Sequence, residues 1–192
     1  PNFRVLNLAT NTFNDARTSY RLKSIGGYSA AKLRRYQDLI DMHISQEMNP
    51  LMQTIMQTQG FMLPNSQEGR NFPVLNMLNM KYAVVSLQDG RQAPIQNPYA
   101  MGNCWFVDEV TLVDTPDEEC DMIDDIDLHT QAVADKRFAD ALDITKPEVT
   151  TMMAFDEETI ELTSYAPNCL EDTARNERNK VVVFSEIYYP HD

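Results

Sequence analysis

Apolar positions in this chain alternate near its start, recur on a helical period after the first glycine pair, and cluster into runs in its second half. Phe3-Arg4-Val5-Leu6-Asn7-Leu8 reads as a short strand. A polar loop follows, and Ser19 to Ile25 leads into Gly26-Gly27, where two residues free to take positive φ predict a sharp reversal. Ser29 offers a cap to a helix whose apolar positions Leu33, Tyr36, Ile40 and Ile44 keep the helical period to about Glu47. Asn49 before Pro50 predicts a break and a second helix through roughly Gln59, because proline is favoured at a first helical position. Leu51, Ile55 and Met56 would be its buried stripe.

Gly60 to Gly69 reads as a loop, Phe72 to Leu78 as a short helix, and Tyr82 to Ser86 as a strand. Asp89-Gly90 is the turn signal of a hairpin, and Gln92 to Gly102 reads as a loop. Cys104 to Val107 and Val110 to Val113 read together as one further extended segment. Thr115-Pro116-Asp117-Glu118 is the clearest local signature: Thr caps, Pro takes the first helical position, and Glu118 completes a capping box. Arg137 to Leu142 predicts a short helix, Thr159 to Tyr165 a strand, and Asn168 to Lys180 a turn or weak strand. The densest strand signal is Val181-Val182-Val183-Phe184-Ser185-Glu186-Ile187-Tyr188-Tyr189-Pro190. A strand needs a neighbour for its backbone groups, so a chain that starts at Pro1 and stops just beyond such a run reads as a piece of a longer protein. Helices prevail over residues 1–80 and strands over 81–192, which predicts an α+β fold. The expectation is one domain, with N-terminal helices packed on a mixed or antiparallel sheet from the second half and the strand-rich C-terminal part truncated.

Composition narrows the function classes. The 192 residues suffice for a core, and 43% apolar residues argue against disorder. No apolar run approaches the ~18–20 residues of a membrane helix, so this piece reads as soluble. A formal charge of −13 argues against nucleic acid as a partner, since phosphate binding relies on Lys and Arg. Cys104, Cys120 and Cys169 show neither CxxC nor zinc spacing, leaving one bridge with a free thiol, or three buried thiols. The eleven methionines read as fillers of core gaps.

Two charge clusters carry the candidate chemistry. Asp108 to Asp127 holds ten carboxylates and no base, but lacks the alternation and Gly of a calcium loop; it reads as a solvated helix face, with no metal site. Between Arg17 and Arg35 stand six bases, Arg17, Arg21, Lys23, Lys32, Arg34 and Arg35, with no acid among them. Beside Gly26, Gly27 and a helix start, Arg34 and Arg35 could hold a phosphate, with Tyr20, Tyr28 and Tyr36 as sugar-stacking faces. The plainer reading pairs these bases with the acidic segment and puts the tyrosines partly in the core. His43, His129 and His191 are isolated, no GxSxG elbow exists, and no catalytic residue or cofactor is assigned.

Leu22 to Ile40, Val74 to Val84, and Gly102 to Val107 with the closing Val182 to Pro190 run together resemble the large extracytoplasmic region of YfhO-type bacterial membrane proteins, Bacteroides in particular. The resemblance spans nearly the whole chain in order. It implies a membrane protein of the cell envelope related to GT-C glycosyltransferases, which use lipid-linked sugar donors. In those relatives the catalytic acids lie near the first membrane helices, and nothing here matches that motif. The family's Tyr-Tyr-Pro run continues with Gly-Trp, where this chain has His191-Asp192. The implied role is a non-catalytic periplasmic domain, partnered by the membrane-embedded remainder of its own chain, that positions a glycan or lipid-linked acceptor. Two other readings stand beside it: a structural or protein-interaction domain without a small-ligand site, and a free-standing hydrolase using carboxylates of the acidic segment.

Overall fold

The computed structural model describes residues 2–58, 60–142, 158–166, 169–176 and 180–187. The fold is α+β. Where the sequence reads as one domain, the chain gathers into two compact units: Pro1–Gly102 with Ser185–Asp192, and Asn103–Phe184. Among the described residues no helix is long and apolar enough to cross a membrane.

The first unit is built on a mixed three-stranded sheet. β1 (Arg4–Asn7) runs parallel to β2 (Met80–Ser86), which pairs antiparallel with β3 (Gln92–Gln96) across the turn at Asp89-Gly90. β2 and β3 open the strand-rich part expected from residue 81 onward, and β1 joins them from the start of the chain. β3 replaces an expected loop, and Pro94 is what hides it from the sequence. The Asn97 N–H donates to Lys81 O at 2.9 Å while the Gln96 N–H donates outward to Phe61 O at 2.7 Å. Even-numbered amides therefore face away from β2, and the donor that Pro94 lacks would have served no bond to it.

The helical segment also departs from expectation. It begins at Arg34 rather than Ser29, whose hydroxyl only accepts from the Ala31 N–H at 3.3 Å. From there α1 (Arg34–Leu39), a π turn (Ile40–Ile44) and α2 (Ser45–Gln57) follow without a break, with Pro50 inside α2. Proline inside a helix costs about 3 kcal/mol. Ile40, Ile44, Leu51 and Ile55 are all buried along this stretch, and full burial contributes roughly 1.5–3 kcal/mol for each such side chain. Together they outweigh the proline, and the wider π turn directly precedes α2.

A second short helix depends on this one. α4 (Pro73–Met77) has Phe72 at its N-cap, which offers no side-chain acceptor. Glu47 of α2 takes that role from outside: its carboxylate accepts from the Val74 N–H at 2.9 Å and the Leu75 N–H at 3.0 Å. The charge also complements the helix dipole. Asn79 closes α4 in the left-handed conformation at φ 56°. Beneath it, Asn97 is fully buried, donating to Asn76 Oδ1 at 2.8 Å and Met80 O at 2.9 Å. α3 (Gln67–Arg70) forms inside an expected loop.

Among the described residues, the second unit contains three two-stranded ladders. β4 (Cys104–Val107) pairs antiparallel with β9 (Val181–Phe184), and β7 (Thr159–Ala166) with β8 (Cys169–Arg175). β5 (Glu109–Val113) runs parallel to β6 (Gln131–Asp135). The single extended segment expected over 104–113 therefore breaks at Asp108, whose N–H donates to Thr130 O at 2.7 Å. A parallel pair needs a crossover, and α5 (Pro116–Asp121) supplies it, opened by the expected capping box of Thr115 and Glu118. The Arg137 to Leu142 expectation corresponds to a 3-10 turn (Lys136–Phe138) and α6 (Ala139–Leu142). Among its described apolar residues only Cys104, Val107 and Leu128 are buried. The closing run holds strand only to Phe184; Ser185 and Glu186 bend into the first unit, and Tyr188 to Pro190 lie outside the described residues, as do Gln59, Asn168 and His191.

Because Glu47 is the acceptor for two amides of α4, Glu47→Ala should lower stability by about 1–2 kcal/mol. Urea unfolding of the two proteins measures this. A difference within error would mean that water caps α4 equally well.

Candidate functional site

The expected reversal at Gly26-Gly27 forms the floor of an open cleft of about 230 Å³ in the first unit. Its position follows from β1. Val5 donates to Lys23 O at 2.9 Å and accepts from the Ile25 N–H at 3.1 Å, so residues 23–25 lie along the strand and Ile25 enters the core. The chain then turns against the Thr12 loop. The Gly27 N–H donates to Thr12 O at 2.7 Å, and a Cβ on Gly26 would overlap that same oxygen. Gly27 takes φ 129°, a conformation side chains disfavour. Both glycines are thus required by the path of the backbone, whatever the cleft binds.

Of the seven residues singled out from the sequence, Gly26, Gly27, Tyr28 and Tyr36 line this cleft together. Tyr20, Arg34 and Arg35 do not. Tyr20 is exposed beside the lining residue Ser19. Arg34 and Arg35 are exposed on the first turn of α1, Arg34 with its Nε 3.9 Å from Asp38. Lys32 takes the place expected of the arginines, with its ammonium 5.5 Å from the centre of the Phe13 ring. Lys32 belongs to the basic cluster in the sequence, but its approach to Phe13 leaves no local signal.

Tyr36 is set more firmly than an exposed stacking face would be. Its hydroxyl donates to Ile25 O at 2.6 Å. Burial pushes its pKa up to about 12, against a smaller opposing effect of the Arg4 charge. Tyr28 is the more open ring, at 63% exposure. The lining holds hydroxyls, backbone amides, an ammonium and aromatic faces, but no carboxylate, imidazole or thiol. Such a surface can bind and orient a polar ligand.

Elsewhere the reactive groups are engaged or apart. The bases of the 17–35 segment find nearby acids: Arg17 pairs with Asp15, Lys23 with Glu186 and Arg34 with Asp38. The acidic segment is paired by other lysines, Asp114 with Lys136 and Asp108 with Lys180. Asp108 and Glu158 both reach Lys180. Burial works to lower the Lys180 pKa, but these two carboxylates outweigh it and hold the ammonium above its ordinary range. His43 is buried on the π turn and His129 is exposed in a loop. None of the three cysteines is in a disulfide, and of them only Cys104 is buried. Neither expected arrangement of the cysteines therefore forms. Burial, together with the bond from Cys104 to Asp172 at 3.5 Å, pushes its thiol up to about 11. Among the described residues no group of three or more His, Cys, Asp or Glu side chains gathers in a metal-binding arrangement.

Two measurements test this description. Unfolded chain releases the Tyr36 proton near 10 and folded chain only near 12. The folded state should therefore lose stability as pH rises through that interval, by up to roughly 2 kcal/mol, and gain nothing from it below. Urea titrations across this range should show the loss in the native chain and not in Tyr36→Phe. Equal pH slopes would mean that the phenol is not shielded. In the native fold, maleimide should modify exposed Cys169 at least about tenfold faster than Cys104 at neutral pH. Equal rates would contradict the buried, high-pKa thiol.

Set against protein-family models, curated proteins and solved structures, the chain matches none.

Proposed function

We propose that this chain is a non-catalytic, extracytoplasmic domain of a YfhO-type membrane glycosyltransferase, and that its cleft positions a glycan or a lipid-linked acceptor. The observation that carries the reading is the convergence of Gly26, Gly27, Tyr28, Lys32 and Tyr36 around one open cleft. Sugar rings offer apolar faces to aromatic side chains and hydroxyls to backbone and side-chain polar groups. Tyr28 supplies an open ring, and Lys32 a positive charge for a phosphate-bearing ligand. The ordered resemblance over nearly the whole chain implies that the transfer chemistry would lie in the membrane part, with this domain as its accessory.

Glucose 1-phosphate titrated into the protein and followed by NMR tests this. Tyr28→Ala with Lys32→Ala should weaken binding at least about tenfold, as expected for loss of one stacking ring and one charge. The thermal midpoint should stay unchanged. Arg34→Ala with Arg35→Ala, outside the cleft, should change it by no more than about twofold. No binding by the native chain, or the reverse order of the two variants, would overturn the site.

An interaction domain without a small-ligand site has one observation in its favour. Met56 at the end of α2 and Phe61 and Met62 just beyond it are exposed, at 77%, 66% and 48%. Apolar side chains grouped in this way suit a protein partner.

A further inference from the structure

We infer that the cleft selects a sugar by its hydroxyl protons: Ser19, Ser24 and Tyr36 meet the ligand as hydrogen-bond acceptors, and an anionic group is admitted only beside Lys32. The inference rests on the reading of the cleft as a glycan site and adds which atoms of the ligand it recognises. A hydroxyl has one proton and two lone pairs, whereas a carbonyl oxygen can only accept. A hydroxyl bonded to a carbonyl has therefore committed its proton, and only lone pairs are left for a ligand.

Three hydroxyls of the cleft are in that state. The Tyr36 hydroxyl donates to Ile25 O at 2.6 Å, Ser19 Oγ to Ala16 O at 2.9 Å, and Ser24 Oγ to Val5 O at 3.3 Å. Tyr36 is the firmest of them. Ile25 is only 1% exposed, and turning the phenol proton to a ligand would strip its carbonyl of that donor, an exchange with no net gain of a bond. Ser19 Oγ stands 3.5 Å from the place a Cβ on Gly27 would take, so it borders the glycine floor. Backbone amides of the lining are spent in the same way, Ile25 N–H on Val5 O and Gly27 N–H on Thr12 O. Side-chain donors remain on one short stretch. Ser29 Oγ accepts from the Ala31 N–H at 3.3 Å and keeps its proton for a ligand. The Lys32 ammonium, with three donors and no acceptor, lies over the Phe13 ring.

The two sets suit different parts of one ligand. A phosphate monoester above its second pKa of about 6 offers acceptors alone. Set against Ser19, Ser24 and Tyr36 it would turn lone pairs toward lone pairs. A sugar hydroxyl in the same place donates to them, and its own oxygen can still accept. A ring with free hydroxyls and one anionic substituent therefore satisfies both sets, whereas a bare anion satisfies only the donors.

NMR titrations at about pH 7.5, above that phosphate pKa, test the inference with glucose 1-phosphate, methyl α-glucoside, sulfate, and the four glucose 1-phosphate analogues in which fluorine replaces one hydroxyl. Fluorine fills the space of the hydroxyl but cannot donate, and sulfate carries charge without a proton. Sulfate should bind at least about tenfold more weakly than glucose 1-phosphate, and at least one fluorinated analogue about threefold to tenfold more weakly, as for one lost hydrogen bond. Ser19→Ala should weaken glucose 1-phosphate by about threefold or more with an unchanged thermal midpoint. Lys32→Ala should cancel the advantage of glucose 1-phosphate over methyl α-glucoside. Sulfate as tight as the sugar phosphate, four fluorinated analogues equal to the parent, indifference to Ser19→Ala, or an advantage that survives Lys32→Ala would each overturn the inference while leaving a site that binds glucose 1-phosphate. No binding of either sugar would remove the glycan site and the inference together.

Discussion

The guanidinium of Arg4 is the interaction on which the first unit depends. Its side chain is only 7% exposed, and an arginine buried to that degree is tolerated only where acceptors surround it. It donates to Leu78 O at 3.0 Å and Ser185 O at 2.6 Å, and pairs with Glu186 at 3.4 Å. One side chain on β1 therefore holds the end of α4 and a segment from the far end of the sequence. Glu186 is shared with Lys23, whose carbonyl receives the Val5 N–H. The strand that feeds the cleft is thus registered on β1 by its backbone and by the same carboxylate that meets Arg4.

The cleft follows from these constraints. With residues 23–25 laid along β1, the chain must turn at once to avoid the Thr12 loop, and only glycine fits so close to Thr12 O. Tyr36 then reaches back from α1 to the Ile25 carbonyl and closes one wall. The pieces that shape the cleft are backbone bonds and the half-buried Tyr36 phenol. The pieces free to meet a ligand are the open Tyr28 ring and Lys32. Rigid floor and accessible edge are consequently made by different residues, a division suited to recognition.

Legibility differed between residues for identifiable reasons. Gly26 and Gly27 were visible as a reversal because a paired glycine has few other uses. Tyr28 and Tyr36 were visible as aromatic neighbours of a basic run. Arg34 and Arg35 misled, because charge density along a sequence says nothing about which side of a helix turn faces a cleft. Pro50 misled in the opposite direction: its helix-breaking cost is local, whereas the burial of Ile40, Ile44, Leu51 and Ile55 that outweighs it is distributed over several turns. Pro94 concealed β3, since proline opposes strand pairing only when its nitrogen faces a neighbour.

The sequence alone determined what contacts within about four residues can decide: the capping box at Thr115 and Glu118, the Asp89-Gly90 turn, the helical period through Ile44 and the β-branched runs. It also determined the class of the fold, because those elements leave few other ways to bury their apolar positions. The tertiary structure decided the rest: the parallel pairing of β1 with β2 across the helical segment, Glu47 as a cap for α4, Lys32 beside Phe13, and the reach of Arg4 to Ser185 across 181 residues. These contacts join segments far apart in the chain. Their energies appear only after loop closure has brought the partners together, and no local pattern encodes that closure.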